Sequence, residues 1–188
     1  MHRFISIGIC LLFAILLCGC ASKDIRLTQE KRQAVLNMRE EVLDELYTIS
    51  PEAKAEISKA PGYAVFSNAN VNIIFVGFGG GYGVFKDNKS GKDTFLKMGQ
   101  AGLGIGVGVK DFRAVFVFKN RSTIERFLRD GWEFSSSADA AAKLGNNGSD
   151  RGGAAEIDGI EVYQITKIGL ALQASVYGTK YWKDNELN

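Results

Sequence analysis

The chain has 188 residues and a formal net charge of +2, too balanced for bulk electrostatics to point to a nucleic-acid partner. Its only histidine is His2, and its cysteines are Cys10, Cys18 and Cys20. Beyond residue 20 it therefore lacks the side chains for a Ser-His-Asp triad, a Cys-His pair or the common zinc sites, and no enzymatic activity is expected.

In chain order, Arg3 precedes an apolar run, Phe4 to Leu17, of the length of a signal-peptide core rather than a membrane span. The sequence "LCGC", Leu17 to Cys20, resembles a bacterial lipobox, with an aliphatic residue three before the cysteine and small Gly19 directly before it. Residues 1–19 are thus expected to be a cleaved lipoprotein signal peptide, with Cys20 the lipidated first residue of the mature chain, carrying palmitate-type acyl groups. Ala21 rather than an aspartate follows Cys20. That resemblance implies an outer-membrane lipoprotein facing the periplasm. More than one acyl chain anchors stably where a single chain would not.

Residues 20–49 read as lipid anchor, tether and N-terminal amphipathic helix. Val35, Met38, Val42, Leu46 and Ile49 recur at helical spacing, widened by Leu36, Leu43 and Tyr47, and Thr28 is the expected N-cap. The opposite face mixes Lys31, Arg32 and Arg39 with Glu30, Glu40, Glu41, Asp44 and Glu45. A helix held on anionic lipid by charge would be polybasic, so this one is expected to pack on its own domain.

Residues 50–188 read as one domain. Ser50 as cap, Pro51 at the first helical position and a stop at Pro61-Gly62 mark a second helix. Strands are expected over Tyr63 to Phe66 and Val71 to Phe78, continuing to Phe85, and "KDNKSGKD" then turns a hairpin into "TFLKMG". Gly102, Gly104, Gly106 and Gly108 alternate with Leu103, Ile105, Val107 and Val109, which in a strand leaves one face without side chains. Neither the dinucleotide fingerprint nor a P-loop fits their spacing, so no nucleotide is expected. A bare face costs stability, and the expected offset is close packing of a helix or second sheet rather than a slot for lipid, since the aliphatic face also needs burial.

Phe112 to Phe118, apolar on both faces, reads as a central strand. "NRSTIERFLRDGWEF" gives a short helix with a Ser122 and Glu125 capping box and a stop at Gly131. "SSSADAAAKLG" is another brief helix, and Asn146 to Ala154 a loop whose lone Asp150 is too few ligands for calcium. "IEVYQI" and "GLALQASVYGTKYW" close the domain as strands. The expected fold class is α+β, with N-terminal helices on a twisted, mainly antiparallel, Gly-rich sheet curled into a sandwich or partial barrel.

Five blocks in order, "KAPGYAVFSNANVN", "GFGGGYGVF", "FLKMGQAGLGIGVGVKDFRAVFVFKN", "FLRDGWEFSSSADAAAK" and "IEVYQITKIGLALQASVYGTKYWKD", resemble the SYLF domain in its bacterial lipoprotein form, almost continuously from Ser50. That resemblance implies a lipid-binding module. The affinity that carries over to an exported protein is for membrane phospholipid in general.

The leading expectation is therefore a non-enzymatic, lipid-anchored envelope protein that binds phospholipid at the membrane surface. It needs no cofactor, metal or nucleic acid. Candidate lipid contacts are Lys110 and Arg113 beside the glycine strand, and Tyr181, Trp182 and Lys183, where aromatic rings adjoin cations. A second reading makes the Gly-faced sheet a docking surface for another envelope protein. A third is a carboxylate-based glycan hydrolase using Asp111 and Glu161, which lie in no identifiable motif.

Overall fold

The computed structural model describes residues 2–67, 80–100, 113–133, 154–166, 169–170 and 179–188. Three helices and nine strands lie among them: α1 (His2–Ile49), α2 (Glu52–Lys59), β1 (Gly62–Ser67), β2 (Gly80–Asp87), β3 (Asp93–Gln100), β4 (Arg113–Phe118), α3 (Arg121–Asp130), β5 (Trp132–Glu133), β6 (Ala154–Ile157), β7 (Ile160–Thr166), β8 (Gly169–Leu170) and β9 (Thr179–Lys183). The sheet order is β5-β9-β3-β2-β1-β4-β7-β6, with β8 beside β7. All of these ladders are antiparallel, and the sheet curls into a half-barrel, so the expected α+β class holds in its partial-barrel form.

Strand alternation splits the core into two layers. On one face Val65, Val84, Phe95, Val115, Val117, Tyr163 and Ile165 meet Val35, Met38, Val42, Leu43 and Leu46 of α1 and Ala53 and Ile57 of α2. On the other, Phe66, Phe85, Leu96, Met98, Phe116, Phe118, Val162 and Tyr181 meet Ile124 and Phe127 of α3. β4 is buried from Ala114 to Phe118 because it lies between β1 and β7 with helices over both faces, as its apolar run predicts.

The helix ends differ from expectation in four places. α1 is continuous from His2, so Thr28 is an interior residue and not an N-cap. The Ile49 side chain is exposed, beyond the end of the packed stripe. α3 is capped two residues before the expected box: the Asn120 side chain accepts from the Thr123 backbone N–H at 2.9 Å, and Ser122 donates to the same oxygen. Its stop is Gly131, as expected, at φ +76°. Ser50 donates to the Glu52 carboxylate, and no side chain caps the α2 backbone. Among the described residues no helix is long and apolar enough to cross a membrane.

The β2–β3 hairpin closes as its sequence predicts. Asp87 accepts from the backbone N–H groups of Lys89 (2.9 Å) and Ser90 (3.0 Å), and Gly91 takes φ +71°. The strand expected over Val71 to Phe78, the helix in "SSSADAAAKLG" and the loop containing Asp150 lie outside the described residues.

Candidate functional site

α1 lies across the face of the sheet that it shares with α2. Its later turns reach β4, where Glu45 pairs with Arg113. Midway, Arg39 pairs with Asp93 at the start of β3 at 2.9 Å. Earlier still, Arg32 donates from Nε to the Leu187 carbonyl at 2.7 Å and its guanidinium lies 5.8 Å from the Phe95 ring centre. This turn of α1 therefore lies over β3 and the carboxy-terminal residues that follow β9, where Arg32 meets Phe95 and Leu187. Val35 is its first buried side chain among the described residues, whereas Ile25 and Leu27 are 64% and 42% exposed. Cys20 lies on the α1 backbone upstream of both.

Against that frame the expected lipid contacts separate. Arg113 is held by Glu45 and staples β4 to α1, so it is not a free cation for a headgroup. Tyr181 is fully buried, and this corrects its expected place at a surface. Its ring packs among Phe66 (4.6 Å), Phe116 (5.0 Å) and Trp132 (5.8 Å between centroids), and burial pushes its phenol well above the ordinary range. Trp182, its neighbour on the opposite face of β9, is 38% exposed, and Lys183 is exposed at the strand end. Lys110 and the glycines Gly102, Gly104, Gly106 and Gly108 lie outside the described residues, as does Asp111.

Trp182 owes its position to a glycine. It pairs in register with Lys97, and a Cβ on Gly99, the next same-face residue of β3, would lie 3.0 Å from the far edge of the indole. The ring thus rests on bare backbone. Lys180 occupies the same face of β9, opposite Gly99, with Glu133 of β5 beside it in the ladder. Lys97 is shared between Asp184 (3.2 Å) and Glu186 (3.6 Å) and lines a narrow cleft with Lys31, Val35, Tyr82 and Leu187. Burial, with the charges of Asp184 and Glu186, pushes the Tyr82 phenol up to about 12. Charge around Trp182 is therefore mixed.

The acid expected for hydrolase chemistry has another role. Glu161 is 4% exposed and pairs with Lys119, while Tyr163 two residues on donates to Glu56 of α2. Burial first, then the Glu56 hydrogen bond, raises the Tyr163 phenol above its ordinary range. This polar cluster joins β7 to α2 and the end of β4. Among the described residues no group of three or more acidic, histidine or cysteine side chains is placed to hold a metal.

Sequence reasoning missed β5, β6 and the cation at Lys180. The signal for β6 was present: Asp158-Gly159 is a two-residue hairpin loop with φ +53° and +78°, joining β6 to β7. Lys180 follows from strand parity once Tyr181 is known to point inward.

No family model matches the chain. It is a distant homologue of the Beta cell expansion factor A of Aeromonas veronii, at 34% identity over 168 residues, covering 85% of this chain and 59% of the length of that protein.

Proposed function

We propose that this protein is a non-enzymatic lipoprotein of the bacterial envelope, anchored through Cys20 in the outer membrane and facing the periplasm, whose SYLF-like domain binds phospholipid at the membrane surface. The observation that carries the reading is the lipobox Leu17 to Cys20 behind a charged start and an apolar run, with Cys20 the last cysteine in the sequence. The five SYLF-like blocks support the lipid affinity, and exposed Trp182 beside Lys180 and Lys183 supplies the residue types that suit a membrane interface.

The test is vesicle sedimentation of residues 21–188, which retain every described core side chain, with folding checked by circular dichroism. Binding to phospholipid vesicles without any acyl chain supports the reading. Indifference to every headgroup by the folded protein overturns the lipid-binding half and favours docking to another envelope protein.

A further inference from the structure

The structure gives the domain an orientation. We propose that the β3–β9 side of the face covered by α1, centred on Trp182, is the surface that meets the membrane, seating the indole at the headgroup boundary of a phospholipid bilayer. This rests on the anchored, lipid-binding reading above and adds to it a face and a binding mode.

Three observations converge on that edge. First, α1 meets the domain there: Arg32 contacts Phe95 and Leu187, and Lys31 and Lys97 line one cleft. Second, the leash is short. From Cys20 to Lys31 the helical rise is about 17 Å, so an acyl group on Cys20 would hold this edge within that distance of the lipid surface. At such a span a contact too weak to bind free protein is populated by effective concentration alone. Third, among the described residues the exposed large apolar side chains on this route are Ile25, Leu27 and Trp182, two on the helix and one on the strand beside it.

The charges around Trp182 decide the binding mode. Lys180 is exposed and has Glu133 opposite it, while Lys97 is taken up by Asp184 and Glu186. A polybasic surface would bind anionic lipid and release it in salt. This edge is mixed in sign, so attachment comes from an aromatic ring at the interface, where tryptophan is favoured because one part of the ring is apolar and its N–H finds a polar partner. Contact should therefore depend little on ionic strength or headgroup charge.

The chain has two tryptophans, Trp132 in the aromatic cluster and Trp182 on the edge, which makes the orientation directly readable. Full-length protein is reconstituted into phosphatidylcholine vesicles, with and without brominated acyl chains, as Trp132→Phe and Trp182→Phe variants. Retained folding is verified by the thermal transition of each. Bromolipid should quench Trp182 in the first variant at least about twofold more than Trp132 in the second, and 0.5 M salt should leave the ratio unchanged.

Equal quenching of the two, or none at Trp182 in folded protein, overturns the proposed edge; loss of quenching in salt overturns the uncharged mode. The vesicle assay with residues 21–188 separates the two levels. Binding there without Trp182 quenching keeps the lipid reading and discards the edge. Quenching only in the anchored chain keeps the edge and discards autonomous affinity.

Discussion

Gly62, Gly83 and Gly99 hold room for the aromatic rings of Phe85, Phe66 and Trp182, and Gly83 tests this most sharply. It pairs with Phe66 across β1 and β2, and a Cβ there would overlap the Phe66 ring and lie 2.7 Å from the Val65 carbonyl oxygen. Neither neighbour has room to retreat. The carbonyl belongs to the sheet backbone, and the Phe66 ring is fully buried, with Phe116 at 5.0 Å and Tyr181 at 4.6 Å. In an open strand Gly→Ala gains about 0.5–1 kcal/mol, whereas overpacking a core costs about 1–3 kcal/mol. With two immovable neighbours the upper figure applies, and Gly83→Ala should lose about 2 kcal/mol net.

At a urea dependence of about 2 kcal/mol/M, the unfolding midpoint falls by about 1 M. Gly99→Ala is the internal control, since its nearest neighbour is the tip of the part-exposed Trp182 ring at 3.0 Å, which can swing away. Its cost should stay within about 0.5 kcal/mol. Adding Phe66→Leu to Gly83→Ala should cost less than the sum of the single changes, because the smaller side chain removes the overlap. A Gly83→Ala protein as stable as the parent, or no worse than Gly99→Ala, would refute the reasoning.

Two further outcomes are open to measurement. Backbone hydrogen bonds from Ser90, followed by that of Arg121, lower Asp87 to about 2. A carboxylate depressed on folding stabilises fully above its unfolded value near 4, and that contribution is lost as pH falls through about 2. Asp87→Asn should therefore lower the melting temperature at neutral pH and converge on the parent between about pH 4 and 2, followed by thermal unfolding across pH. Arg113→Ala breaks the half-buried pair with Glu45, should cost about 0.5–1 kcal/mol in urea unfolding and should leave vesicle binding unchanged; a loss of binding would return Arg113 to the lipid surface.

The elements legible in the sequence were those whose burial is uniform along the strand or helix. β4 is sandwiched between helices and carries an unbroken apolar run, and the β2–β3 hairpin announces itself through Asp87 and Gly91. The α1 stripe from Val35 to Leu46 also matches its packed face. Short edge pieces were not legible. β5 is two residues long and exists only through pairing with β9, a tertiary fact with no local pattern.

The site was half legible for a related reason. "YWK" at 181–183 offers alternation, yet which parity faces the core depends on strand order. β9 lies between β3 and β5, with the Phe66, Phe116 and Trp132 cluster on one side only, and that places Tyr181 inside and Trp182 outside. The α3 cap shifted from Ser122 to Asn120 because Asn120 already has extended backbone, at φ −152°, with its oxygen aimed at the Thr123 N–H. Glu161 looked available for chemistry because its partner, Lys119, sits 42 residues away in sequence.

The most direct test of the account is intact mass spectrometry of the protein purified from the bacteria that produce it. An amino-terminal Cys20 bearing acyl chains, with residues 1–19 absent, is the predicted result. A chain that still begins at Met1, or one whose Cys20 sulfur is free, contradicts it.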